Sequence, residues 1–413
     1  MARLFVRETG RGEPETGALS FPDLEAMLIR LLESGDSGAV DMVDAALDQA
    51  LLHRASDLHF EPWADCVAVR FRIDGILHVA ARVPQRFHGQ IVNRFKVLAR
   101  ILTYQKDLPQ DGRIDPESTP CRKAMRVSTF PTVYGEKLAV RVLDTDPNLF
   151  SLDALGFRSG TVAALRAILL RPQGTLLLTG PASSGKTTTI YAIINELLQT
   201  RQPTPHVVTI EDPVEYRFGN VSQTEVNPYA GFTFAAALRS VVRQDPEVIM
   251  LGEIRDPETA HAAIQAGLTG HLVISTIHSG TAAGVFTRLL DMGIEPYLVA
   301  SSATGVLAQR LLRRTCTACG GGGEGCETCK GIGYRGRIAV GELLLVHDAI
   351  ASLILERSRT NVIHEAALRA GMMSLVSDAA ERVKSGITTA AEVRRVLAMA
   401  EEGPPPATES DNA

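Results

Sequence analysis

Apolar residues at the start of the chain recur with a helical period. Leu24, Met27, Leu28, Leu31 and Leu32 follow the i, i+3, i+4 spacing of an amphipathic helix, so residues 21–55 are expected to be helical. The period then changes to two. Val67, Val69, Phe71 and Ile73 alternate with Ala68, Arg70 and Arg72, as in a half-buried strand, and Asp74-Gly75 supplies a hairpin turn. Phe87, Ile91, Phe95, Leu98 and Leu102 predict another helix. AMRVSTF (124–130) and KLAVRVLD (137–144) predict a second strand pair. A small α+β domain should therefore end near Asp144.

Residues 144–157, DTDPNLFSLDALGF, read as a linker. Beyond them TLLLTG, HVVTIE, EVIML and LVISTI are short apolar runs, separated by helical patterns at 186–199, 234–243 and 256–266. Short apolar strands alternating with helices predict an α/β fold with a mostly parallel sheet covered on both faces. The expected division is 1–40 flexible or helical, 41–145 small α+β domain, 146–310 α/β core, 311–336 a Cys- and Gly-rich module, 337–400 a C-terminal helical region and 401–413 a disordered tail.

Composition narrows the classes. The 413 residues are 45% hydrophobic and 22% charged, which excludes a mostly disordered or coiled-coil chain. Lys+Arg is 42 and Asp+Glu 47, a net charge of −5, which weighs against a dedicated nucleic-acid binder and against polybasic docking on lipid. No apolar run reaches the roughly 18–20 residues that span a bilayer, and the first residues form no secretory leader. The expected location is the cytoplasm, where thiols stay reduced.

GPASSGKT, residues 180–187, has the spacing G-x-x-x-x-G-K-[ST], with an apolar strand before it and a helix after it. Gly180, Pro181, Ala182, Ser183, Ser184, Gly185, Lys186, Thr187 and Thr188 are the candidate nucleotide-binding residues. The glycines allow backbone N–H groups to face phosphate, Lys186 would neutralise it, the Thr187 hydroxyl would ligate Mg²⁺, and the helix N-terminus adds partial positive charge. Glu253 follows the apolar strand of EVIMLGEIRD, where it could hold the metal shell or orient water. Glu211, Asp212 and Glu215 end another strand and could share that work. His271 and His278 flank LVISTI and are candidates for sensing the γ-phosphate.

Four of the six cysteines fall in two C-x-x-C pairs, Cys316/Cys319 and Cys326/Cys329. Four thiolates suit a closed tetrahedral Zn²⁺ site, and the GGGGEG between the pairs can bend tightly. Such a site is structural, because every position is filled.

These segments together resemble the secretion ATPases of bacterial type II secretion and type IV pilus assembly. RFRIDG (70–75), PQDGR (109–113), RVSTFPT (126–132) and GEKLAVR (135–141) resemble the family's second N-terminal domain. IEDPVEY, RQDPEVIMLGEIRD and LTGHLVISTIH resemble its Asp box, Walker B region and His box. The phosphate loop carries Ala182 and Ser183 where the family usually has Thr and Gly, and HSG at 278–280 replaces the usual HTN. The resemblance implies a RecA-like ATPase core, a homo-hexamer and an inner-membrane platform protein as partner. It implies catalytic roles for Glu253, Lys186, His271 and Glu211. Arg113 and Arg126 are the arginine-finger candidates from the small domain, with Arg239 and Arg243 as candidates from the core. About 55 residues precede RASDLHFEP, too few for the family's additional docking domain, so the mode of docking to a cytoplasmic partner stays open. The four-cysteine module favours assembly or export over retraction. A RecA-like nucleic-acid translocase and a nucleotide-gated scaffold with little hydrolysis are the alternatives.

Overall fold

A computed structural model describes residues 18–35, 37–143 and 150–397. Residues 1–17 of the expected flexible or helical first segment, and the tail expected at 401–413, lie outside the described residues. Contacts divide the chain into two units, residues 1–144 and 145–413.

The first unit opens with α1 (Phe21–Leu32) and α2 (Gly38–Leu52). Ser20 caps α1 by accepting the Asp23 N–H, and Leu24, Leu28 and Leu32 form its buried stripe. Six antiparallel strands follow: β1 (Ala55–Pro62), β2 (Cys66–Ile73), β3 (Ile76–Pro84), β4 (Gln110–Ile114), β5 (Met125–Thr132) and β6 (Gly135–Val142), in the order β3-β2-β1-β6-β5-β4. The β2–β3 turn needs positive φ at two successive positions, and Asp74 (47°) and Gly75 (87°) supply it. α3 (His88–Leu98) packs on the apolar face, with Phe95 5.0 Å from Phe60 of β1. Leu102, expected on this helix, lies beyond its end and is exposed. The 40/41 division falls inside α2.

The second unit is a seven-stranded sheet between helical layers. Its strands are β7 (Gly174–Thr179), β8 (Val207–Glu211), β9 (Ser222–Glu225), β10 (Val248–Ile254), β11 (Leu272–Ile277), β12 (Ala303–Thr315) and β13 (Tyr334–Leu345). The order is β13-β12-β7-β11-β10-β8-β9, parallel except for β13. Alternate residues of one strand enter opposite cores. Ile249 and Leu251 face the core shared with Ile264 and Phe286, while Val248 and Met250 face that of Leu165, Ile190 and Ile194. Burial on both sides explains why these strands read as continuous apolar runs. The helices are α4 (Ser159–Leu169), α5 (Lys186–Thr200), α6 (Phe234–Val241), α7 (Pro257–Leu268), α8 (Ala282–Asp291) and α9 (Pro296–Ser302), then α10 (Asp348–Leu355), α11 (Thr360–Arg369), α12 (Leu375–Lys384) and α13 (Ala390–Leu397).

Two expectations are corrected. Residues 337–345 are strand, not helix: β13 pairs with β12 from Gly305↔Leu345 to Thr315↔Tyr334. Their apolar run is ambiguous by periodicity, and cross-strand pairing decides it. The cysteine module is the far end of this ribbon. The expected linker is also partly core, because Phe150, Leu152 and Phe157 are buried in the second unit, while residues 144–149 lie outside the described residues.

Candidate functional site

Parallel strands deliver their C-terminal ends to one edge of the sheet. There β7 runs into the phosphate loop, β8 ends at Glu211, β10 carries Glu253 near its end and β11 leads to His278. The loop needs left-handed backbone at Ser183 (φ 60°) and Gly185 (φ 86°). A Cβ on Gly180 would sit 2.6 Å from the Gln309 carbonyl oxygen, so only glycine fits there. Lys186 begins α5, and its Nζ donates to the carbonyls of Gly180 (2.8 Å) and Pro181 (2.9 Å). Burial holds the Lys186 amine below its usual range; the Glu253 carboxylate opposes that shift and Arg310 adds to it.

Lys186, Thr187, Asp212, Glu215, Glu253 and His278 line one cavity of about 270 Å³, with Glu211 at its wall. Glu253 is ion-paired with Arg255, and His278 Nε2 lies 3.8 Å from its other carboxylate oxygen. A lysine for phosphate, a hydroxyl suited to Mg²⁺ and a carboxylate suited to water thus share one small volume.

The other expected residues divide. Glu211 is buried and held by three donors: it accepts from Tyr191 Oη (2.6 Å), Thr209 Oγ1 (2.5 Å) and Gln223 Nε2 (3.0 Å). Burial, followed by the nearby carboxylate, pushes the Tyr191 phenol far up, so it stays a donor. This geometry positions β8 and leaves Glu211 little capacity for chemistry. His271 is not brought to the site. It precedes β11, its carbonyl accepts the Gly174 N–H at the start of β7, and its Nδ1 lies 3.1 Å from the Ala266 carbonyl. Six residues at about 3.3 Å each put it roughly 20 Å from the phosphate edge. Its partner at the other end of the strand, His278, is the histidine at the cavity. Arg239 is paired with Glu258, and Arg243 lies past the end of α6 and donates to the Arg239 carbonyl.

In the first unit Arg113 and Arg126 are direct cross-strand neighbours, and Arg126 also faces Arg141. This three-arginine row lies on the solvent side of the sheet. Asp57 neutralises Arg141 at 2.9 Å, and Asp111 stands 3.7 Å from Arg126. Like charges placed directly opposite cost stability, and the Asp57 and Asp111 carboxylates offset part of that cost. The sequence reading missed Arg141; its register with Arg126 is the signal that reveals it.

The four cysteine sulfurs lie within 4.8 Å of one another. The Cys316–Cys326 and Cys319–Cys329 separations are 3.9 and 3.8 Å. Those are too long for disulfides and close to the ~3.8 Å edge of a tetrahedron with ~2.3 Å Zn–S bonds. The Gly323 N–H donates to Cys319 Sγ and the Gly333 N–H to Cys329 Sγ, a pattern that favours thiolates. The Gly323 bond brings Cys319 down to about 7, while burial pushes Cys329 up to about 11. The donor set is compatible with zinc.

The sequence profile of the family described as type II/IV secretion system protein matches residues 33–395. The chain belongs to that family. It is 43% identical over 373 residues to the type II secretion system protein HxcR of Pseudomonas aeruginosa, spanning 89% of this chain and 79% of that relative. It is 40% identical over 420 aligned positions to the type IV pilus assembly ATPase PilB of Thermus thermophilus, covering 95% of this chain but 47% of that one. The structure of the pilus retraction motor PilT with bound ADP has a TM-score of 0.61 and 26% identity, over 85% of this chain and 96% of that chain. The protein is an ATPase of this family with a RecA-like core. Among the described residues, no helix is long and apolar enough to cross a membrane.

Proposed function

We propose that the protein is the ATP-hydrolysing motor of a type II secretion or type IV pilus-like machine. It works as a hexameric ring in the cytoplasm, against an inner-membrane platform protein, and reaches the membrane through protein partners. The observation that carries the reading is the convergence of Lys186, Thr187, Glu253 and His278 on one cavity at the C-terminal edge of the sheet.

In this reading the phosphate loop N–H groups and Lys186 hold the β- and γ-phosphates. Thr187 and Glu253 would hold Mg²⁺, which when bound neutralises charge on the transferred phosphate. Glu253 orients the attacking water, and His278 reports the γ-phosphate through its contact with Glu253. Arg113 and Arg126 act as fingers on the developing charge, supplied by the small unit of this chain or of a neighbouring copy. The four cysteines hold one structural Zn²⁺ at the tip of the β12–β13 ribbon.

The test is Glu253→Gln. It should bind ATP as the wild type does and lose most turnover. Unchanged turnover would remove Glu253 from the reaction.

A further inference from the structure

Behind the phosphate loop, on the side of β7 away from β11, lies β12, whose run VLAQRLL is apolar except for Gln309 and Arg310. Gln309 is 0% exposed. Its Nε2 donates to the Ser184 carbonyl at 2.7 Å, and it sits 3.3 Å from where a Cβ on Gly185 would stand. Its Oε1 is buried without a partner, as is Ser184 Oγ. A buried amide satisfied on one side only is costly, and a leucine of similar size would fill the space without the unpaired oxygen. What leucine would lack is the donor aimed at the loop.

We propose that Gln309 is a positioning residue that sets the phosphate loop for anion binding. The reason is peptide geometry. The Ser184–Gly185 unit is planar and trans, so its C=O and N–H point in opposite directions. Anchoring the Ser184 carbonyl toward β12 turns the Gly185 N–H away from β12, into the cradle ahead of α5. Glycine at φ 86° has little intrinsic preference for this orientation, and a flipped peptide would aim a carbonyl at the phosphates instead. Arg310, the next residue, ties the same stretch of β12 to the loop after His278: its Nη1 donates to the Gln309 carbonyl and its Nη2 to the Gly280 carbonyl (3.0 Å). The bond from Gln309 therefore joins the phosphate loop to a strand that also holds the His278 loop.

The inference rests on the phosphate loop being the nucleotide site, and ADP binding to the wild-type chain tests that separately. Two variants test Gln309 itself. Gln309→Leu should weaken ADP binding and raise the ATP KM about tenfold, the loss expected for one buried hydrogen bond, with a smaller change in kcat. Circular dichroism and zinc content should match the wild type. Gln309→Glu supplies a readout that simple packing would not move. Its carboxylate cannot donate to the Ser184 carbonyl, but its protonated form can, so its ADP affinity relative to wild type should improve as pH falls from 8 toward 5.5. An unchanged ATP KM in Gln309→Leu, or a flat affinity ratio across that range in folded Gln309→Glu, overturns the proposal.

Discussion

His271 and His278 look equivalent in the sequence, one on each side of the same apolar run, yet β11 carries them to opposite edges of the sheet. His278→Ala should lower kcat roughly 10²-fold, the order expected when a positioned polar group is lost from a reaction site. His271→Ala should leave kcat within about twofold, and steady-state ATPase assays on the two variants decide the assignment. Glu211 offers a similar contrast. Three donors converge on its carboxylate, so Glu211→Gln sets an amide N–H₂ against one of them. The expected cost is about 1–3 kcal/mol of stability, read as a lowered melting temperature before any effect on chemistry. Lys186, Thr187 and Glu253 were legible as residues because spacing and strand–loop–helix context restrict what such a pattern can be. Glu211 was legible as a strand-end acid, but its bonding to Tyr191 and Gln223 depends on neighbours 20 and 12 residues away in the chain.

Among the elements, the β12–β13 ribbon and α13 form a unit that the pattern concealed. Glu392 of α13, its side chain fully buried, accepts from the Arg313 backbone N–H, from Arg313 Nε and Nη2, and from Arg395. The Arg313 guanidinium also lies 4.0 Å from the Tyr334 ring centroid. Glu392→Ala leaves two guanidinium groups without their carboxylate and should cost about 3–5 kcal/mol. Burial pushes the Glu392 carboxyl up, but the bonds from Arg395 and then Arg313 outweigh it, and the net direction is down. Because the folded state holds this proton less tightly than the unfolded one, the contribution is complete above the ordinary carboxylate pKa of about 4.3. It is lost as pH falls through the lowered value. The melting-temperature gap between wild type and Glu392→Gln should therefore be smaller at pH 3 than at pH 7. The arginine row of the first unit is the other element-scale case. Arg113 and Arg126 were visible as candidates, but that they stand directly opposite, with Arg141 beyond, follows from strand register. Arg113→Ala and Arg126→Ala should each lower kcat by roughly 10³-fold with little effect on ADP affinity, as expected of finger arginines.

For the whole molecule, the four thiols predict about one zinc per chain on metal analysis of the purified protein. A chain without metal, with all four cysteines freely reactive while folded, would defeat that reading. The sequence by itself determined the chemistry in short reach: a phosphate loop between strand and helix, a strand-end carboxylate, paired C-x-x-C knuckles, and alternating strands and helices that required a sheet buried on both faces. These are local signals, because phosphate cradles, metal knuckles and buried strands each impose their spacing on a few consecutive residues. The tertiary structure alone decided which histidine lies at the cavity, that residues 337–345 extend the sheet instead of forming a helix, and that Gln309 lies behind the phosphate loop. Those outcomes follow from strand direction, register and sheet order, which bring together residues more than a hundred positions apart, as with Gln309 and Ser184 at a separation of 125. No period within one segment can encode them.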